Sequence, residues 1–148
     1  MTAKRKDESG KKANIPEIVS LESLVSRSYS KKISEAQEFQ LELISRTNFN
    51  FCNGKLIAEL LIENYKMWRA ALMPLDLLSL RDLENGCWHA DTLYIYAEEG
   101  CQHSLDELVR EQFNADEIHW IGNSDAADML GVSELEGSLD AVLSVWWD

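Results

Sequence analysis

Three short runs rich in β-branched and aromatic residues, Thr92 to Ala97, Glu117 to Ile121 and Ala141 to Trp147, constrain the fold more than any other feature of the chain. Residues of this kind suit a pleated, half-buried surface, so each run reads as a strand. Between the first two, Ser104 with Glu107 three positions on forms a capping box, and Leu105, Leu108, Val109 and Phe113 make a helical stripe. Between the second and third, Ser124 to Leu130 reads as a short helix closed by Gly131. The order β-α-β-α-β with short connections implies a parallel sheet with right-handed crossovers. The expected fold class is α/β, with a small, mainly parallel sheet of at least three strands.

Two longer helices are expected to pack against this sheet. From Ser34, a natural N-cap, Ile33, Ala36, Gln40/Leu41 and Ile44 recur at helical spacing, with Phe39 and Leu43 widening the stripe. Asn53 can cap a second helix whose buried stripe is Ile57, Leu60/Leu61, Asn64/Tyr65, Trp68 and Ala71/Leu72, ended by Pro74. Leu77, Leu80 and Leu83 fit a short helix stopped at Asn85-Gly86, while the same Asn-Gly pair also fits a hairpin turn. Scattered apolar residues over 14–30 predict a short surface helix, and the lysine-rich residues 1–13 predict a disordered basic tail. The chain thus divides into that tail and a single α/β domain over residues 14–148.

Charge is unevenly distributed. Residues 1–32 hold eight Lys/Arg against four acids, whereas residues 33–148 hold six against 22. Beyond Arg81 the sole basic residue is Arg110, set against sixteen acids. Nucleic-acid affinity depends on neutralising phosphates with Lys and Arg, so the C-terminal half is expected to bind no DNA or RNA. Such a surface steers towards a basic protein, and it also serves solubility. Three cysteines fit no disulfide framework, the first residues lack an apolar signal core, and no apolar run is long enough to span a bilayer. These features predict a cytoplasmic protein without membrane association.

Several groups could carry chemistry. Cys87, His89, Cys101 and His103 supply a Cys₂His₂ set, but the intervening strand would hold the two pairs roughly 20 Å apart at ~3.3 Å per residue. Cys101 lies between a strand end and a helix start, with His103 two residues on, His119 on the next strand and the acids Glu98 and Glu99 adjacent. That is the outline of a nucleophile with its base, although the negative surroundings disfavour a thiolate. Asn123, Ser124 and Asp125 follow Gly122 at a helix start, where backbone amides can hold an anion, although Asp125 would repel one. Adjacent carboxylates such as Asp106-Glu107 and Asp116-Glu117 lack the spacing of a calcium loop. Trp68 and Trp120 fit the core. Trp146 and Trp147 point to opposite faces of the last strand, so with Asp148 they offer an interface anchor rimmed by acid.

The reading that follows is a non-enzymatic acidic interaction module, an inhibitor, antidote or accessory subunit that docks on a basic protein and needs no cofactor. One alternative is a small enzyme or ligand-binding domain at the strand ends around Cys101 and His103. Another is a structural subunit that forms homo-oligomers through the last strand and its paired tryptophans.

Overall fold

The structure is a computed structural model, which describes residues 33–74, 86, 89–130 and 140–148. The expected tail, the surface helix over 14–30, the helix-or-hairpin segment after Pro74, Cys87 and the Gly131 cap lie outside the described residues.

Helix α1 (Glu35–Ser45) begins where Ser34 accepts a hydrogen bond from the Gln37 amide. It buries Leu41 and Ile44, but Phe39, expected in the stripe, is 70% exposed. A two-residue hairpin, β1 (Asn48–Phe49) and β2 (Cys52–Asn53), leads into α2 (Gly54–Glu63), capped by the Asn53 side chain on the Leu56 amide.

Here the structure corrects the sequence reading. The second helix does not run to Pro74. It ends at Asn64, whose side-chain and backbone N–H groups both donate to the Leu60 carbonyl. A 3₁₀ turn over Tyr65–Met67 follows, and Trp68–Leu72 is strand β3. Trp68 keeps the core position that the helical stripe assigned to it by another route: its indole N–H donates to the Leu61 carbonyl at 2.8 Å.

The remaining elements are β4 (Thr92–Ala97), α3 (Gln102–Gln112), β5 (Glu117–Gly122), α4 (Asn123–Leu130) and β6 (Asp140–Trp146). Helix α3 starts two residues before Ser104. Its N-cap is Cys101, which makes no side-chain cap, and Glu107 pairs with His103 instead of closing a capping box. The turn into α3 needs Gly100, whose φ of 79° favours a residue without Cβ.

The sheet order is β3-β4-β6-β5, and every pairing is antiparallel. The mainly parallel sheet expected from the element order is therefore not what forms. Two features account for the difference. Residue Gly122 at the end of β5 pairs with Asp140 at the start of β6, so the chain re-enters the sheet beside the point where it left. Strand β6 then runs back between β4 and β5. Those two strands do share a direction, so β4-α3-β5 is a βαβ unit whose strands are parted by β6.

Strand alternation gives the sheet two unlike faces. One face carries Ala71, Leu93, Ile95, Ala97, Leu143 and Val145 and packs against Leu41, Ile44, Ile57, Leu61, Leu105 and Val109 of α1, α2 and α3. Fully buried side chains of this size are worth roughly 1.5–3 kcal/mol each, so this layer is the main source of stability. Just beyond β6, Trp147 joins it, 1% exposed, with its indole N–H on the Phe113 carbonyl at 3.1 Å.

The two sheet edges also differ. The edge at β3 is closed by α1: the Ala71 and Met73 amides donate to the side-chain oxygens of Gln37 and Gln40, at 2.7 and 3.1 Å. Both N–H groups are thereby satisfied within the fold.

Candidate functional site

The second face of the sheet is only partly covered by the described residues, and the strand registers order its side chains into rows. Across the middle run Leu72, Tyr94, Ser144 and His119. Beside them on one side stand Thr92, Trp146 and Glu117, and on the other Ala70, Tyr96, Val142 and Ile121. Helix α4 covers the third row by setting Ala126 on Val142, with Tyr94, Tyr96 and Ile121 around them. What remains is a groove of about 550 Å³ lined by Thr92, Tyr94, Glu117, His119, Ser144 and Trp146, with Asp125 and Met129 of α4 at its margin.

The groove is aromatic at its base and acidic at its rim. Tyr94 and Trp146 are half-buried, Glu117, His119 and Asp125 are exposed, and among the described residues no Lys or Arg lines it. Ser144 is only 5% exposed, and no described residue hydrogen-bonds to its hydroxyl. Thr92, equally buried, donates to the Asp91 carboxylate at 2.7 Å. Ser144 and His119 are cross-strand neighbours, yet no hydrogen bond joins them and no described acid bonds to the imidazole. They form a polar strip on the groove floor.

The residues singled out from the sequence are dispersed. Glu98 is held by Arg69: the guanidinium Nε donates to Glu98 Oε1 at 3.0 Å, and Nη1 donates to the Tyr96 hydroxyl at 3.2 Å. That hydrogen bond, with the guanidinium charge, keeps the Glu98 carboxyl below its ordinary range and raises the Arg69 value. Cys101 is half-buried, with its thiol 3.9 Å from the Lys66 carbonyl. His103 is 86% exposed along its side chain and pairs with Glu107 at 3.2 Å, one turn along α3. Glu99 is exposed and shares no bond with either. The structure therefore brings together no nucleophile, base and acid at this strand end.

The three described candidates for a metal site, His89, Cys101 and His103, do not converge either. His89 is buried before β4 and Cys101 and His103 follow its far end, while Cys87 lies outside the described residues. Among the described residues no cluster of three His, Cys, Asp or Glu could hold a metal ion. At the start of α4, Ser124 and Asp125 are exposed, and Asp125 reaches the groove. Trp146 lines the groove and Trp147 is packed in the core. The exposed Asp148 is tied down at the chain end by its amide on Asp116 Oδ2 at 2.9 Å and its carbonyl on the Asn50 side chain.

Sequence reasoning missed Thr92, Tyr94, Ser144 and Met129 as site residues and met Glu117 only as half of a carboxylate pair. The signal was present in the strand alternation, where polar and aromatic residues interleave with aliphatic ones. It could not be assembled without the order of the strands. No protein-family model, curated protein or solved structure matches the chain. None of the described helices is long and apolar enough to cross a membrane.

Proposed function

We propose that this protein is a non-enzymatic acidic interaction module that docks a basic segment of another protein on the open face of its sheet. One observation carries the reading: the groove couples two half-buried aromatics, Tyr94 and Trp146, to the carboxylates Glu117 and Asp125, with no Lys or Arg among its described lining residues. Aromatic faces and carboxylates together attract ammonium and guanidinium groups, and an aromatic partly buried among polar neighbours is the usual anchor of a protein interface. The surplus of acids over the same part of the chain would steer a basic partner in from a distance. A reducing, cytosolic compartment suits the free thiols of Cys52 and Cys101.

The test is titration with a hepta-lysine peptide, following tryptophan emission and comparing the parent with Trp146→Phe to isolate that indole. Binding should weaken as salt rises, because exposed charges are screened beyond ~8 Å at physiological ionic strength. Removing both carboxylates in Glu117→Gln/Asp125→Asn should weaken it about tenfold, since two exposed pairs are worth up to ~1 kcal/mol each. A double variant that binds the peptide as tightly as the parent would sink the proposal.

A further inference from the structure

The two edges of the sheet are treated differently by the fold, and the difference falls next to the groove. At β3 the outward amides of Ala71 and Met73 are capped by Gln37 and Gln40 of α1. At β5, the opposite edge, a single described side chain reaches the outer backbone: Arg110 Nη2 lies 3.4 Å from the Ile118 carbonyl. Because Arg110 belongs to α3 and not to β6, that contact shows the Ile118 carbonyl facing away from the sheet. No other described hydrogen bond reaches the outer side of β5. An edge left uncovered by the described residues is a template for another strand, which proteins normally blunt unless it is used.

The side chains of β5 say what sort of strand would fit. Towards the groove it presents Glu117 and His119, both exposed, with Asp125 just past its end. Towards the helices it presents Ile118 and Trp120, both half-buried against the core. Beside that second row sits Arg110, held by Asp106 through two bonds of 2.6 and 3.1 Å, and the Trp120 indole donates to the same carboxylate at 3.1 Å. A cation on the helix side would therefore meet Arg110, whereas one on the groove side would meet Glu117 and Asp125.

We infer that the β5 edge takes an extended segment of the basic partner as a fifth strand, with lysine or arginine at every second position over the groove and apolar residues between them over Ile118 and Trp120. This rests on the proposed docking of a basic partner and adds its conformation and its sequence pattern. Strand addition of this type draws affinity from main-chain hydrogen bonds and specificity from alternate side chains. Six residues of β5 offer an edge of roughly 20 Å, enough for three side chains on each face.

Two probes of equal composition separate pattern from charge: a heptapeptide alternating lysine and valine with lysine at both ends, and a block peptide of four lysines followed by three valines. Amide hydrogen exchange of the whole protein is read by NMR with each, alongside tryptophan emission. The inference expects the alternating peptide to bind at least tenfold tighter than the block peptide and to slow exchange at Ile118 and Trp120 at least tenfold. If both peptides bind equally and depend on Glu117 and Asp125, while the Ile118 and Trp120 amides exchange as before, charge docking stands and strand addition is refuted. If neither these peptides nor hepta-lysine binds, the docking proposal fails and the inference falls with it. If those amides are already protected without peptide and the protein has the mass of a dimer, the edge belongs to a second copy and the inference is overturned.

Discussion

Replacing Gly54 by alanine should destabilise the protein by about 3 kcal/mol, against the direction that helix propensity dictates. Gly54 is the first residue of α2, and alanine there would ordinarily gain roughly 0.5–1 kcal/mol over glycine. A Cβ at this position, however, would overlap the backbone carbonyl oxygens of Ile44 and Thr47 and lie 3.1 Å from the Thr47 carbonyl carbon. Atoms at rest keep ~3.5–4.0 Å. Every obstructing atom is main chain, so no rotamer change relieves the overlap, and α2 must withdraw from the end of α1.

Withdrawal carries two costs. It stretches the Gly54 amide bond to the Thr47 carbonyl, now 3.1 Å, which is worth about 1 kcal/mol. It also loosens the packing between the two helices, which bury Ile44 and Ile57 in one core cluster, and a gap of 0.5–1 Å forfeits a quarter to a half of each dispersion contact. Overpacking of this kind typically costs ~1–3 kcal/mol. The net loss of about 3 kcal/mol should appear in urea unfolding as a lower midpoint at unchanged slope. For a domain of this size it corresponds to a melting temperature lower by roughly 6–12 °C. Gly122→Ala is the control, because a Cβ there meets nothing within 4 Å. That variant should be neutral or more stable by up to ~1 kcal/mol. If Gly54→Ala proves as stable as the parent, the close approach of α1 and α2 is misjudged.

Other measurements probe the remaining assignments. Trp147→Ala should cost about 3–5 kcal/mol in urea unfolding and Trp146→Ala about 1 kcal/mol or less; equal losses would contradict their placement on opposite faces. Burial pushes the Cys52 thiol up to about 12, so in a Cys87→Ser background an aromatic disulfide reagent at pH 8 should label Cys101 in the native protein and Cys52 only on unfolding. Simultaneous labelling of both would refute the buried thiol. Glu98 has a depressed folded pKa, so its stabilisation is fully present above the unfolded value of ~4.3 and is lost as pH falls through the folded value. Glu98→Gln should therefore lose less than about 1 kcal/mol at pH 7, a difference that shrinks below pH 5. A gap that persists into strong acid would mean that the Arg69 bond is not its source.

Three of the four strands of the main sheet were legible in the sequence, and their arrangement was not. Thr92 to Ala97, Glu117 to Ile121 and the run ending at Trp146 are marked by β-branched and aromatic residues that have few other places to go. The inference to a parallel sheet rested on element order, which is silent about the insertion of β6 between its predecessors. A counter-signal was available: parallel strands buried on both faces read as continuous apolar runs, whereas Thr92-Leu93-Tyr94-Ile95 and Glu117-Ile118-His119-Trp120 alternate. The overlong second helix has a different cause. Trp68 and Ala71 are three apart, a spacing that suits a helical stripe, and they share a strand face only because the register shifts between Trp68 and Ala70.

The groove was harder to foresee because its parts come from three distant stretches of chain and meet only through register. Strand β6 carries the information for both faces at once. Leu143 and Val145 point to the core while Ser144 and Trp146 point to the groove, and Trp146-Trp147 divides its two indoles between them. A slip of one residue would exchange the sets, exposing Val145 and Trp147 and burying Ser144 and Trp146 against the helices. The same pairing therefore fixes the stability of the domain and the composition of its open face. Motifs read along the chain, such as Cys101 with His103, follow neighbours in sequence. The row Tyr94, Ser144, His119 exists only across strands, and the groove face is where the function of this chain is best sought.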